Sequence, residues 1–491
     1  MKDVDITNLI NPPTHLLSHD YALRYTALPI KKDGNHLWVA IEDPQCTKTI
    51  ADLSDITGLF IMPKPASAVE IRRHIDHLYG KEAMTTIASQ FLVEEKLRQR
   101  TEAPDAFLLE QLSAAPAVRL IDSLIESGIL NRASDIHIEP YVSYLKTRYR
   151  VDGELIPFVS VDLSLLPNVI SRLKIMGDMD ITEKRKPQDG HFSMNIQGEN
   201  VEFRLSTMPT HLGEKAAIRL LYGQSSRPKK GELGFFQEDL DKLTKLFHKP
   251  HGAIFMTGPT GSGKSTTLTG FLEELNKENR NIITVEDPVE NPLLGVNHVN
   301  VEPLAGLDFA NALRHVLRQD PDIIMIGEIR DEVTARIAIQ AAITGHVVLS
   351  TLHTNDAPGV IERLIDMGIE PFLIAAAING IIAQRLARRI CTDCKTQTLI
   401  EPKLANVLNL PGGTPVYIAP GCRHCNNTGH KGRLAVYEYI IITEELRLQI
   451  SKTPSSLAQN LRKTKGLKAN VIKNVLEGNI APNEAIRLLE G

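Results

Sequence analysis

The chain has 491 residues, 42% hydrophobic and 23% charged, with a formal net charge of −4 and a single tryptophan. This balance describes an ordinary globular protein and argues against a chain-wide nucleic-acid surface, which needs a basic excess with interleaved aromatics. The N-terminus (Met-Lys-Asp-Val-Asp-Ile-Thr) lacks a signal-peptide layout, and the most apolar window, Pro371 to Ile382, is broken by Asn379 and Gly380, so a cytosolic protein reaching the membrane only through partners is expected.

In chain order, Leu37 to Ile41 reads as a strand closed by Glu42-Asp43-Pro44, and Ala68 to Tyr79 has amphipathic helical spacing. Residues 1–80 therefore form a small α/β module. Residues 81–112, with an ionic run from Glu94 to Arg100, read as a linker with helical stretches. A second α/β module spans 113–224, with a helix over Ala117 to Ser127 and strands over Asp135 to Glu139, Leu145 to Val151, Phe203 to Ser206 and Ala217 to Leu221. The turn-rich stretch Ser225 to Gly231 opens a third domain, 225–388. There strands and helices alternate over 253–257, 265–275, 281–286, 308–318, 322–326, 332–343 and 346–350, the order of a parallel sheet covered by helices on both faces. Residues 389–437 are rich in cysteine and glycine, and 438–491 form a helical tail.

The third domain carries the chemistry. After the apolar strand Ala253 to Thr257 come Gly258-Pro259-Thr260-Gly261-Ser262-Gly263-Lys264-Ser265 and then Thr266, opening a helix. Strand, glycine loop and helix together form a phosphate cradle: backbone N–H groups and the helix N-terminus face the anion. Lys264 is expected to reach the β- and γ-phosphates of ATP, and the Ser265 hydroxyl to ligate Mg²⁺. Two further apolar strands run into acids, Asn281 to Val285 into Glu286-Asp287-Pro288 and Asp322 to Ile326 into Gly327-Glu328. In an open parallel sheet such strand ends surround the ligand. Hydrolysis needs one carboxylate for the attacking water and one for the metal. Glu286 is assigned to the water and Glu328 to the metal, with the reverse division open. A third strand, Val347 to Thr351, delivers Leu352-His353-Thr354-Asn355 to the same edge, where His353 is placed to sense the γ-phosphate.

Four of five cysteines form two pairs, Cys391-Thr-Asp-Cys394 and Cys422-Arg-His-Cys425, separated by a spacer of 27 residues. Paired knuckles of this kind predict a closed, structural Cys₄ zinc site with a small subdomain bulging between them. Cys46 is expected to be a buried apolar residue.

The blocks Gly258 to Thr266, Val285 to Pro288, Leu317 to Asp322, Gly327 to Asp331 and Ser350 to Asn355 together resemble the secretion ATPase superfamily, whose members power type II secretion and type IV pilus assembly. The resemblance covers about residues 114–491. In the family's terms, 258–265 is Walker A, 281–290 the Asp box, 323–328 Walker B and 346–354 the His box. It implies a RecA-like P-loop ATPase domain behind a PAS-like α/β domain, working as a ring homohexamer. It also implies that Arg204 and Arg219 contact the γ-phosphate as the two domains close, a task suited to a planar, permanent cation. Arg314, Arg318 and Arg330 are secondary candidates, and His191 stands where relatives commonly carry arginine. The N-terminal extension, the four cysteines and the following Gly432-Arg433 resemble assembly or secretion motors rather than retraction motors. Ser206 to Pro209 and Asp366 to Leu373 look closer to type II secretion than to pilus extension. The resemblance therefore implies a motor for pseudopilus assembly and protein export. It would work with inner-membrane platform and cytoplasmic-domain proteins, with residues 1–80 docking on the platform. A type IV pilus extension ATPase, and more remotely a nucleic-acid translocase, are the alternatives. Residues 1–80 resemble only the second half of the family's N-terminal domain, so no cyclic dinucleotide is expected there.

Overall fold

The computed structural model describes residues 12–68, 71, 74–75, 106–196, 199–221, 228–290, 292–462 and 466–490. The chain divides into two compact units, residues 1–223 and 224–491. Most of the helix expected over 68–79, and the linker as far as residue 105, lie outside the described residues.

The first unit holds two sheets. In the smaller one, β1 (Ala27–Asp33) pairs antiparallel with β2 (His36–Ile41), and β2 pairs parallel with β3 (Phe60–Pro65) after a helix over Thr47–Thr57. Cys46 precedes that helix and is half-buried rather than buried, because the helix boundary faces water; the Thr49 hydroxyl donates to its Sγ at 3.2 Å.

The larger sheet has six strands in the order β6-β5-β4-β9-β8-β7. These are β4 (Asp135–Pro140), β5 (Tyr144–Val151), β6 (Glu154–Asp162), β7 (Gln188–Ile196), β8 (Glu199–Thr210) and β9 (Gly213–Leu221), every neighbour antiparallel. Helices over Ala106–Leu130 and Leu166–Met176 cover one face through a core that includes Ile121, Ile136, Leu173, Phe203 and Ile218. The first of these helices begins inside the stretch expected as linker and runs past both ends of the helix expected at 117–127. The alternation along β9, with Ala216, Ile218 and Leu220 buried, sends Lys215, Ala217 and Arg219 to the opposite, charged face.

The second unit is built on a seven-stranded sheet ordered β12-β11-β13-β14-β10-β15-β18. Its strands are β10 (Gly252–Thr257), β11 (Ile282–Glu286), β12 (Asn297–Asn300), β13 (Ile323–Ile326), β14 (Val347–Leu352), β15 (Ile378–Ile390) and β18 (His430–Ile441). β10 to β15 run parallel; the apolar stretches of β10, β11, β13 and β14 are buried on both faces, as inner parallel strands require, while the edge strand β12 is half exposed. Ala253 and Phe255 enter one core with the helices over Phe309–Val316 and Glu332–Ile343, while Ile254 and Met256 enter another with Phe271 and Leu272 of the helix over Lys264–Leu275. The chain crosses from β10 over two strand positions to β11, which leaves a switch point at the carboxyl ends beside β10.

The apolar window at 371–382 resolves into a short helix over Pro371–Ala377 and the start of β15. β15 pairs with β10 on one side and, antiparallel, with β18 on the other. Both strands run through the boundaries expected at 388 and 437, because the ladder continues until the chain leaves it at Ile390 and rejoins at His430. The excursion holds β16 (Thr396–Leu399), β17 (Pro415–Ile418) and a helix over Pro402–Leu408, packed through Leu408 and Val416 against Val471, Val475 and Leu488 of the helical tail. Among the described residues no helix is long and apolar enough to cross a membrane.

Candidate functional site

The glycine loop leaves β10 at Thr257 and enters the helix at Lys264. Gly258, Gly261 and Gly263 take φ of +142°, +77° and +82°, a region closed to most side chains. Two of these glycines are also demanded by a neighbour the sequence did not advertise. A Cβ on Gly258 would lie 2.3 Å from the Gln384 main-chain oxygen, and one on Gly263 would lie 2.9 Å from the Gln384 amide nitrogen. Gln384, in mid-β15 and 2% exposed, donates from Nε2 to the Ser262 carbonyl at 2.8 Å and accepts from the Thr267 hydroxyl at 2.9 Å. One buried amide thus fastens the loop to the first turn of its helix. No motif marks it; its signal is a polar residue directly after the apolar run Ile381 to Ala383.

Lys264 is 8% exposed, and its ammonium donates to the carbonyls of Gly258 at 2.7 Å and Pro259 at 3.3 Å. Burial lowers its pKa, opposed by the nearby Glu328 carboxylate. The Ser262 hydroxyl is buried without a hydrogen-bond partner, while Pro259, Thr260, Gly261 and Ser265 are exposed. An orphan donor inside a ring of backbone N–H groups fits a bound phosphate. The exposed Ser265 hydroxyl and the Glu328 carboxylate are the oxygen donors a magnesium ion would take.

The two carboxylates stand at adjacent strand ends, since β11 and β13 pair from Ile282–Ile323 to Val285–Ile326. Glu286 Oε1 accepts from the Thr284 hydroxyl at 2.7 Å and lies 2.9 Å from His298 Nδ1. Glu328 Oε2 lies 3.1 Å from His353 Nε2, and its Oε1 is paired with Arg330. Burial pushes the Glu328 pKa up, but the bonds from Arg330 and His353 prevail and hold it below the usual carboxylate range. His353 is tied to the phosphate loop through its neighbour. The Thr257 hydroxyl accepts from the Thr354 N–H at 2.8 Å and lies 2.8 Å from the Thr354 hydroxyl. Lys264, Glu286, Glu328 and His353 are therefore gathered at one sheet edge from four separate stretches of sequence. Of the secondary arginines, Arg330 joins this cluster, whereas Arg314 bonds to Asn311 and Arg318 to His315.

Arg204 and Arg219 belong to the first unit. They are cross-strand partners on β8 and β9, with His191 of β7 next in the same row. The Arg219 guanidinium lies 3.0 Å from Asp135 Oδ1 and remains 59% exposed.

The antiparallel β15–β18 ladder ends with Ile390 beside His430, which brings the two cysteine knuckles together. The four Sγ atoms lie within 4.8 Å of one another, with Cys391–Cys422 and Cys422–Cys425 at 3.8 Å and Cys394–Cys425 at 4.0 Å. Sulfurs about 2.3 Å from a tetrahedral zinc are separated by about 3.8 Å, whereas a disulfide needs about 2.05 Å. The second knuckle is shaped by Gly421 and Gly429, whose Cβ atoms would meet the carbonyls of Asn427 at 2.6 Å and Ala419 at 2.4 Å. Main-chain N–H groups of Cys422 and Gly429 donate to Cys425 Sγ at 3.1 and 3.2 Å, the pattern that steadies a thiolate. These four side chains could hold a metal ion.

Comparison with known proteins identifies the family. Residues 110–487 match the model of the family described as type II/IV secretion system protein, and residues 5–85 match the MshEN domain. The chain is 40% identical over 492 residues to type II secretion system protein E of Xanthomonas campestris, covering 98% of this chain and 86% of that protein. It is 41% identical over 466 residues to the type IV pilus assembly ATPase PilB of Thermus thermophilus, covering 92% of this chain but spanning only 51% of that relative. Among solved structures it is similar to the pilus retraction motor PilT with bound ADP, at a TM-score of 0.51 and 26% identity, over 74% of this chain and 95% of that one. This chain belongs to the type II/IV secretion system protein family, and its second unit is that of an ATP-hydrolysing enzyme.

Proposed function

We propose that this chain is the hexameric motor of a type II secretion system, hydrolysing ATP to drive pseudopilus assembly and protein export. The convergence of Lys264, Glu286, Glu328 and His353 on one sheet edge is the observation that carries the hydrolytic part of this reading. Lys264 and the loop N–H groups hold the triphosphate, Glu286 orients the attacking water, and His353 couples the Glu328 carboxylate to the state of the γ-phosphate. Magnesium, taken by Ser265 and Glu328, would neutralise charge on the phosphates. Arg204 and Arg219 supply the cations that meet the transferring group. Zinc on Cys391, Cys394, Cys422 and Cys425 would clamp the ends of the excursion without touching the reaction. The assignment to secretion rests on a relative that the chain matches over almost its whole length. The comparable identity to a pilus assembly ATPase makes pilus extension the second reading.

Phosphate release by Glu286→Gln and Glu328→Gln tests the chemistry: both are expected to lose turnover, and unchanged rates in both would end the enzymatic reading of these residues. Capture of inner-membrane partners on the full chain separates the two machines. A secretion platform protein supports the first reading, and a pilus platform protein supports the second.

A further inference from the structure

His298 lies outside every motif and is bound into the site through both ring nitrogens. It stands on β12 directly opposite Thr284 of β11, and Glu286 follows Thr284 on the same face of that strand. The imidazole Nε2 accepts the main-chain N–H of Leu293 at 2.9 Å. A ring nitrogen that accepts from an N–H carries no hydrogen, so in the neutral ring the hydrogen is on Nδ1. Nδ1 lies 2.9 Å from Glu286 Oε1 and 2.8 Å from the Thr284 hydroxyl oxygen, which passes its own hydrogen to Oε1 at 2.7 Å. The His298 and Glu286 side chains are only 12% and 14% exposed. Among the described residues, none donates to Glu286 Oε2.

We propose that His298 is a positioning residue for hydrolysis, fixing the plane of the Glu286 carboxylate through Oε1 so that Oε2 is presented to the attacking water. The proposal rests on the reading of Glu286 as the water-orienting carboxylate. The last torsion of a glutamate is broad, and a carboxylate held at one oxygen by two donors loses that freedom. The Leu293 N–H sets the tautomer, and the tautomer sets the direction of the bond to Glu286.

Four measurements test this. Selective ¹⁵N-histidine NMR of the unsubstituted chain is expected to show His298 as the Nδ1–H tautomer, and an Nε2–H signal would overturn the proposal without any substitution. His298→Ala is expected to lower kcat about tenfold or more with KM for ATP little changed, the signature of a displaced group rather than of lost binding. His298→Asn, whose amide nitrogen can stand where Nδ1 does, is expected to recover much of that loss. Glu286→Gln separates the two levels. If it abolishes turnover while His298→Ala does not reduce it, the positioning role is wrong. If Glu286→Gln itself retains turnover, the reading of Glu286 is wrong.

Discussion

Arg204 and Arg219 face each other across adjacent antiparallel strands, two cations at a position where like charges weaken a sheet. Asp135, in register with both Arg219 and Arg150, offsets part of that repulsion, with the two guanidinium Nε atoms 3.0 and 3.7 Å from its oxygens. Arg204→Ala and Arg219→Ala are each expected to lower ATP turnover by about 10³-fold, the scale of a lost transition-state arginine. Steady-state phosphate release checks both, and unchanged turnover in both variants would exclude the pair from the reaction.

Gln384 is expected to matter for binding before it matters for chemistry. Gln384→Ala removes two buried hydrogen bonds, to the Ser262 carbonyl of the loop and from the Thr267 hydroxyl of its helix, each worth about 1 kcal/mol, so nucleotide affinity should fall by up to about 30-fold. Gly258→Ala should abolish binding outright, because its Cβ would lie 2.3 Å from a main-chain oxygen that has no rotamer to escape into. Titration with a fluorescent ATP analogue measures both.

Elemental analysis of the purified chain is expected to give close to one zinc per chain, lost in Cys391→Ser. Removing the metal should loosen the ladder end at Ile390 and His430 first, visible as faster hydrogen exchange there before β10 or β14 is affected.

In the six-stranded sheet, burial raises the pKa of Glu139. Bonds from Arg148 Nε at 2.7 Å and Lys215 Nζ at 2.7 Å outweigh this and bring it down to about 2. A folded-state pKa below the unfolded value of about 4.5 adds stability that is complete above that value and is lost as pH falls toward 2. Unfolding by urea should therefore become easier from about pH 5 downward. Glu139→Gln should lower stability near neutral pH by about 2 kcal/mol and flatten that dependence, converging with the unsubstituted chain in acid.

The phosphate loop, the acid-tipped strands and the cysteine pairs were legible in the chain because each is a local pattern: a turn needing glycine, an apolar run with a carboxylate at its end, a fixed knuckle spacing. The helix expected over 332–343 appears with those bounds for the same reason, an aspartate cap at Asp331 followed by an unbroken helical stretch. β15 was not legible, since thirteen residues that are mostly apolar carry no alternation when both faces are buried. β12 escaped as well, being four residues long and half exposed.

What the sequence determined by itself was the phosphate-loop motif, the acid-tipped strands and the cysteine pairs, because each is a property of a short segment. What only the tertiary structure decided was who holds those residues in place. Gln384 lies 122 residues from the loop carbonyl it binds, and His298 reaches Glu286 across a strand pair joined by a ten-residue connection. Strand order and register set such contacts. Both arise from packing of the whole sheet, and neither leaves a periodic trace along the chain.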